Sequence, residues 1–159
     1  MMMENNIKAL TQNIADRTAV TGTQVGDKRA LDIFVINEPN PIQAANLEIR
    51  SAGESVSALK LVYAIDANTV MIGSSSGSIN QARIFGVAIT AATLNQSMQI
   101  QTFGVLRDSS FAFPANVPVY LSPTGSITST PPTTGYQTVV GYSQGPGSIF
   151  INIQETITL

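Results

Sequence analysis

FGVLRDSSFAFPANVPVYLSPTG, residues 103–125, spells out the fold. One apolar run ends at Leu106 and a second spans residues 117–121; between them lies a polar connection carrying Phe111 and Phe113. Ser122-Pro123-Thr124-Gly125 then reads as a turn, because proline presets one φ and glycine permits a positive one. Strand, excursion, strand and turn in succession are the pattern of an all-β domain, a small barrel or sandwich of about seven to nine strands.

Downstream the same pattern repeats. Residues 126–130, 136–142 and 148–153 read as strands, separated by Pro131-Pro132-Thr133-Thr134-Gly135 and Gln144-Gly145-Pro146-Gly147. In the last of them Ile149, Ile151 and Ile153 alternate with Phe150, Asn152 and Gln154, the period of a sheet member. The tail Thr156-Ile157-Thr158-Leu159 is β-branched and apolar, which predicts a packed C-terminus. Upstream, residues 46–50, 57–63, 69–72, 84–89 and 97–106 predict further strands, with a turn over 66–68 and a flexible loop over 73–78. Ser51-Ala52-Gly53-Glu54 has the spacing of a helical capping box, but the run after it alternates like a strand.

The N-terminal part differs. Ile7, Leu10 and Ile14 form a thin stripe at helical spacing, and residues 18–26 read as extended. We expect an arm over residues 1–29, helical or extended. Residues 30–45 supply an attachment strand and a proline-rich linker, and the β-domain occupies 46–159. In the attachment strand Leu31, Ile33 and Val35 share one face, while Phe34 and Ile36 occupy the other. Pro39 and Pro41 end it, since each removes a ladder donor.

Of the 159 residues 43% are apolar and only 11% charged, less than half of the roughly 25% charged content usual for globular chains. Nine of the eighteen charges fall in the first 38 residues, and from Ser109 to the end the sole charged side chain is Glu155. Interface centres are depleted in Lys, Glu and Asp, so the C-terminal half reads as surface covered by protein neighbours. The chain has neither cysteine nor histidine, which removes disulfide scaffolds, the ordinary zinc, iron and copper sites and every histidine-based triad. Net charge is −2 with scattered Lys and Arg, so no nucleic-acid footprint is present. No apolar window is long enough to span a membrane, and the start lacks an export signal; a soluble chain is expected.

Motifs for chemistry are thin. Ser57-Ala58-Leu59-Lys60 with Ser78-Ile79-Asn80 has the form of a serine acylase pair, but the Lys-Thr-Gly element is missing and Ser57 sits in a strand-like run. The acids lie in no motif: Asp108 reads as a loop partner of Arg107 and Asp66 as a turn residue. Asn95-Gln96-Ser97 fits the glycosylation triplet and nothing more. The aromatics lack interleaved Lys or Arg, which points to core or subunit packing rather than base stacking. No catalytic residue, cofactor or metal is expected, and the chain is read as a non-enzyme.

Read together, Arg83-Ile84-Phe85-Gly86-Val87-Ala88-Ile89-Thr90, Gln101-Thr102-Phe103-Gly104-Val105-Leu106, Val119-Tyr120-Leu121-Ser122-Pro123-Thr124-Gly125, Val140-Gly141 and Ile149-Phe150-Ile151-Asn152-Ile153 resemble the small β-domains of tailed-phage structural proteins. Those domains recur in capsid decoration, head-fibre and tail-fibre or adaptor proteins, and the resemblance covers residues 57–159. KRALDIFVIN, residues 28–37, resembles attachment strands of phage tail and fibre components. The resemblance implies a virion component, commonly a homotrimer, with sister subunits and capsid or tail proteins as partners, no membrane, and assembly in the host cytoplasm. The expected interface residues are Leu31, Ile33, Phe34, Val35, Phe111, Phe113, Tyr120, Tyr136 and Phe150. The alternatives are a receptor- or glycan-binding fibre tip using the Phe111/Phe113 loop, and a lysis enzyme of unrecognised kind.

Overall fold

The computed structural model describes residues 46–159. Its strands are β1 (Asn46–Ala52), β2 (Leu61–Ala64), β3 (Thr69–Ile72), β4 (Gly86–Ala88), β5 (Ser97–Arg107), β6 (Pro118–Leu121), β7 (Ile127–Thr128), β8 (Tyr136–Gln137), β9 (Val139–Gly145), β10 (Ser148–Asn152) and β11 (Ile157–Thr158). A single short helix among the described residues, α1 (Ile79–Ala82), lies between β3 and β4. Nine strands form one sheet in the order β1-β3-β2-β4-β5-β10-β9-β6-β7, and β8 pairs with β11 in a separate ribbon. The domain is all-β, as the alternation predicts. The expected arm, attachment strand and linker lie outside the described residues.

An extra pairing of β1 with β5 turns the first five strands into a closed ring. All its contacts are antiparallel except β1 with β3, which runs parallel through Ser51–Thr69 and Ala52–Val70. Strand β5 is long enough to serve two neighbours on one edge. Its Ile100 and Gln101 pair with β4, and its 103–107 segment pairs with β10. Through β10 the sheet runs on to β9, β6 and β7.

Two apolar cores result, and the short strands β2 and β4 stand between them. Successive residues of a strand point to opposite faces. Leu61 of β2 and Val87 of β4 enter a core with Leu106, Phe111, Val119, Leu121, Val140, Ile149 and Ile151. Val62 and Ala88 enter the other, with Ala52, Val56, Val70, Met98 and Ile100. All four wall residues are fully buried. Burying an aliphatic side chain of this size is worth about 1.5–3 kcal/mol, so both faces of the wall contribute. Gly86 sits directly opposite Val62. A Cβ there would lie 2.5 Å from Ile100 Cγ2 and 2.7 Å from the Gln101 carbonyl oxygen, so the close approach of β4 to β5 requires glycine.

The turn at 122–125 forms as its residues dictate: the Gly125 N–H donates to the Ser122 carbonyl, and Gly125 has φ +74°. It docks on the wall. The Leu61 N–H donates to the Gly125 carbonyl at 2.8 Å, and Lys60 Nζ donates to Thr124 O and Ser126 Oγ. Asp66 Oδ1 accepts from the N–H groups of Asn68 and Thr69, making the expected turn, and β3 follows at its expected limits.

Several local expectations are corrected. Residues 57–60 are a turn rather than the start of a strand, with Leu59 at φ +66°. Ser51 lies in β1, where its N–H donates to Asn68 O, so Ser51-x-x-Glu54 caps nothing. The capping box is Ser78 with Gln81: Ser78 Oγ accepts from the Gln81 N–H, Gln81 Oε1 accepts from the Ser78 N–H, and α1 follows where a loop ran into strand was expected. The predicted strand over 136–142 is two elements, β8 and β9, separated at buried Thr138, whose hydroxyl donates to Ala82 O at 2.7 Å. The C-terminal tail is hydrogen-bonded as β11 but not packed, for Ile157 and Leu159 are about half exposed.

Replacing Gly86 with alanine is expected to cost roughly 1–3 kcal/mol through overpacking against Ile100 and the β5 backbone. Thermal unfolding of Gly86→Ala checks it; an unchanged midpoint would mean the wall is not tightly packed.

Candidate functional site

Among the described residues no group of three or more His, Cys, Asp or Glu side chains could hold a metal ion, and no helix is long and apolar enough to cross a membrane. The acids serve the backbone. Hydrogen bonds from the Asn68 N–H, then from Thr69, hold the Asp66 carboxyl below its ordinary value of 3.8. Asp108 Oδ1 accepts from Ser110 Oγ at 2.7 Å and Ser110 N at 2.9 Å, which lowers it likewise. Its expected partner Arg107 instead donates to Ser148 Oγ. Ser57 is exposed, and Lys60 is engaged with the 122–125 turn. The acylase pair is not assembled.

A cleft of about 490 Å³ is lined by Tyr63, Ile65, Asn80, Gln81, Arg83 and Phe85, among others. It holds a cation but no acid, and one face of the Phe85 ring is already covered by the Arg50 guanidinium at 4.1 Å. Beside the Phe111/Phe113 loop the recess is only about 210 Å³, below the roughly 300–1,000 Å³ of small-molecule sites.

What stands out is the outward side of the sheet over β1, β5, β10 and β9. The pairing register places Leu47 opposite Gln101 and Ile49 opposite Gln99; Phe150 lies opposite both Val105 and Tyr142, and Asn152 opposite Phe103. Directly opposed residues share a face, although Gln101, between Leu47 and core residue Val87, is itself buried. Phe103 meets Phe150 edge-on with ring centroids 5.2 Å apart, and Tyr142 lies 5.5 Å from Phe150, an aromatic row across three strands. Leu47, Ile49 and Tyr142 are 53%, 68% and 43% exposed.

Strand β1 is turned against its own amphipathicity. Glu48 lies opposite buried Ile100 and Arg50 opposite buried Met98, so the charged pair shares their face, with the Glu48 side chain still 47% exposed, and the two aliphatic residues take the other face. The charges are satisfied locally: Arg50 Nη2 donates to Glu48 Oε1 at 2.9 Å while its guanidinium stacks on Phe85. A one-residue slip would reverse every side chain of β1. The long ladder with β5 holds the register instead.

Of the interface residues expected from sequence, Leu31, Ile33, Phe34 and Val35 lie outside the described residues. Phe111 is buried in the domain's own core and stacks on Phe113, ring centroids 6.2 Å apart, with Phe113 and Tyr136 packed against the same core. Tyr120 is half-buried on β6 opposite Thr128. Phe150 alone of the set joins the aromatic row. Phe103 and Tyr142 are among the aromatics whose lack of interleaved Lys or Arg points to core or subunit packing, whereas nothing in the sequence points to Leu47 and Ile49.

No family model matches the chain, and no curated protein matches it. Among solved structures it is similar to the head fibre gp8.5 N base of bacteriophage phi29, with a TM-score of 0.42 and 15% identity over 73% of this chain and 98% of that one. A likeness at that level decides nothing about this chain's role.

The Asp66 carboxylate is favoured in the folded state, so its contribution is present above the ordinary value of 3.8 and is lost as pH falls through the lowered one. Asp66→Ala is therefore expected to unfold at a lower temperature than wild type at pH 7, with the gap narrowing as the pH drops below 3.8. Melting curves across that range check it; a gap independent of pH would assign the effect to the turn's shape alone.

Proposed function

We propose that the chain is a structural component of a tailed-phage particle, built into the virion as a symmetric homo-oligomer, a trimer in the form the sequence resemblance implies. The observation that carries this is the outward face, apolar and amide-bearing, with β1 presenting Leu47 and Ile49 to the outside and its charges to the ring. Contiguous exposed apolar surface beyond a few hundred Å² marks interaction sites on soluble proteins, and a patch of that order is often functional. A coat or fibre component acts through buried area rather than through a cleft with ionisable groups, which accords with acids spent on turns and with a C-terminal half whose one charge is Glu155. The similarity to a head-fibre base agrees with this role and adds no weight to it.

Within that role the chain is a decoration, head-fibre or tail-fibre attachment subunit without catalytic activity, and residues 1–45 are its tether. The segment 30–36, apolar on both faces apart from Asp32, suits strand addition to a capsid or tail neighbour. A glycan-binding tip built on the Phe111/Phe113 loop is disfavoured by the burial of Phe111 and the small recess beside it.

Deleting residues 1–28 is expected to leave a folded β-domain that no longer co-sediments with particles. Quantitative blotting of purified capsids and purified tails checks both the role and the tether. Absence of the full-length chain from both fractions would overturn the role; a truncated chain at wild-type copy number would overturn the tether.

A further inference from the structure

We infer that the β1-β5-β10-β9 face, centred on Leu47, Ile49, Phe103, Tyr142 and Phe150, is the site at which one copy of this chain docks on another. The inference rests on the assembly reading and specifies its surface and its partner.

The chemistry of the face selects the partner. It carries no acid, and its one base, Arg107, sits at the end of β5 with its guanidinium engaged by Ser148. A partner bringing a charged patch would bury ions that nothing here could pair, a loss of several kcal/mol per ion. The occupant must itself be apolar and uncharged. The same face on sister copies, converged about a shared symmetry axis, meets that requirement. Its polar groups are also self-complementary, because the amides of exposed Gln99 and Asn152 each carry donor and acceptor and can pair with their own kind. The hydroxyl of Tyr142 does the same.

Dimensions agree. Four strands at about 4.8 Å spacing and six or so residues each at about 3.3 Å make a face of roughly 300–400 Å². A standard interface covers about 800 Å² per partner with an apolar centre and a polar rim, so this face has the extent of the centre. The turn-rich loops supply the rim. The free edge strand β7 is only two residues long, a poor template for strand addition, whereas β1 keeps an open edge over residues 46–50, because β3 pairs with it only at Ser51 and Ala52.

The test uses the full-length chain. Wild type is expected to sediment as a homo-oligomer at micromolar concentration, and Ile49→Lys and Tyr142→Lys each to shift it to the monomer mass while keeping the far-ultraviolet β spectrum. Asn80→Lys, on the exposed helix α1 outside the face, is expected to leave the mass unchanged. Because the chain has no cysteine, Ile49→Cys provides a second readout that adds no charge. Its thiol should react with a maleimide at least tenfold more slowly in the oligomer than Asn80→Cys does. A monomeric wild type, an oligomer that both lysine variants leave intact, or equal thiol reactivity at the two positions would overturn the proposal. Particles that contain the chain alongside a monomer in solution would overturn this inference and leave the virion role standing. An oligomer dissociated by these variants but absent from particles would do the reverse.

Discussion

The two-sided burial of β2 and β4 is the constraint on which the rest of the domain depends. Leu61 and Val87 fill one core while Val62 and Ala88, the next residue in each case, fill the other. Neither core is complete without this wall, and the wall has no face left for water. Its tightness explains Gly86, where β4 runs against β5 with no room for a side chain. It also explains why the turn at 122–125 hydrogen-bonds to Leu61 rather than projecting into solvent. The segment that announces the fold in sequence is the one that seals the junction of its two cores.

Closing the ring has a consequence for the outside. Strand β1 must pair with β3 and β5 together, and the register that allows this turns Glu48 and Arg50 inward and Leu47 and Ile49 outward. The ion pair is tolerated because it sits where Arg50 can stack on Phe85 and Glu48 remains partly in water. The aliphatic pair has no such accommodation within the domain. It continues instead across β5 and β10 into the aromatic row. A sheet face with this composition is stable in water as part of an assembly, and that links the closure of the ring to the proposed role in a particle.

Much of this was legible in residue order. Alternation gave the all-β class, Pro-x-Gly gave the turn at 122–125, and the Asp66 turn and β3 fell at the expected positions. What was hidden is non-local or two-valued. Alternation in Asn46-Leu47-Glu48-Ile49-Arg50 separates two faces but does not say which is inward, and only the pairing with β5 decides it. Two Ser-x-x-Glu/Gln motifs competed; Ser51 was already committed to the sheet, so Ser78 took the cap. Phe111 looks like a loop aromatic because its neighbours are polar, yet the loop folds back to put it into the core. The Leu59 turn was unreadable, since a leucine at positive φ contradicts its own preference.

The most direct measurement is oxidative footprinting of Phe103, Tyr142 and Phe150 in the wild-type oligomer and in the monomeric Ile49→Lys chain. If the outward face is an assembly surface, oxidation of these three is sharply lower in the oligomer than in the monomer, while that of half-buried Tyr63 on β2 changes little. Equal oxidation of the aromatic row in both states would contradict the account.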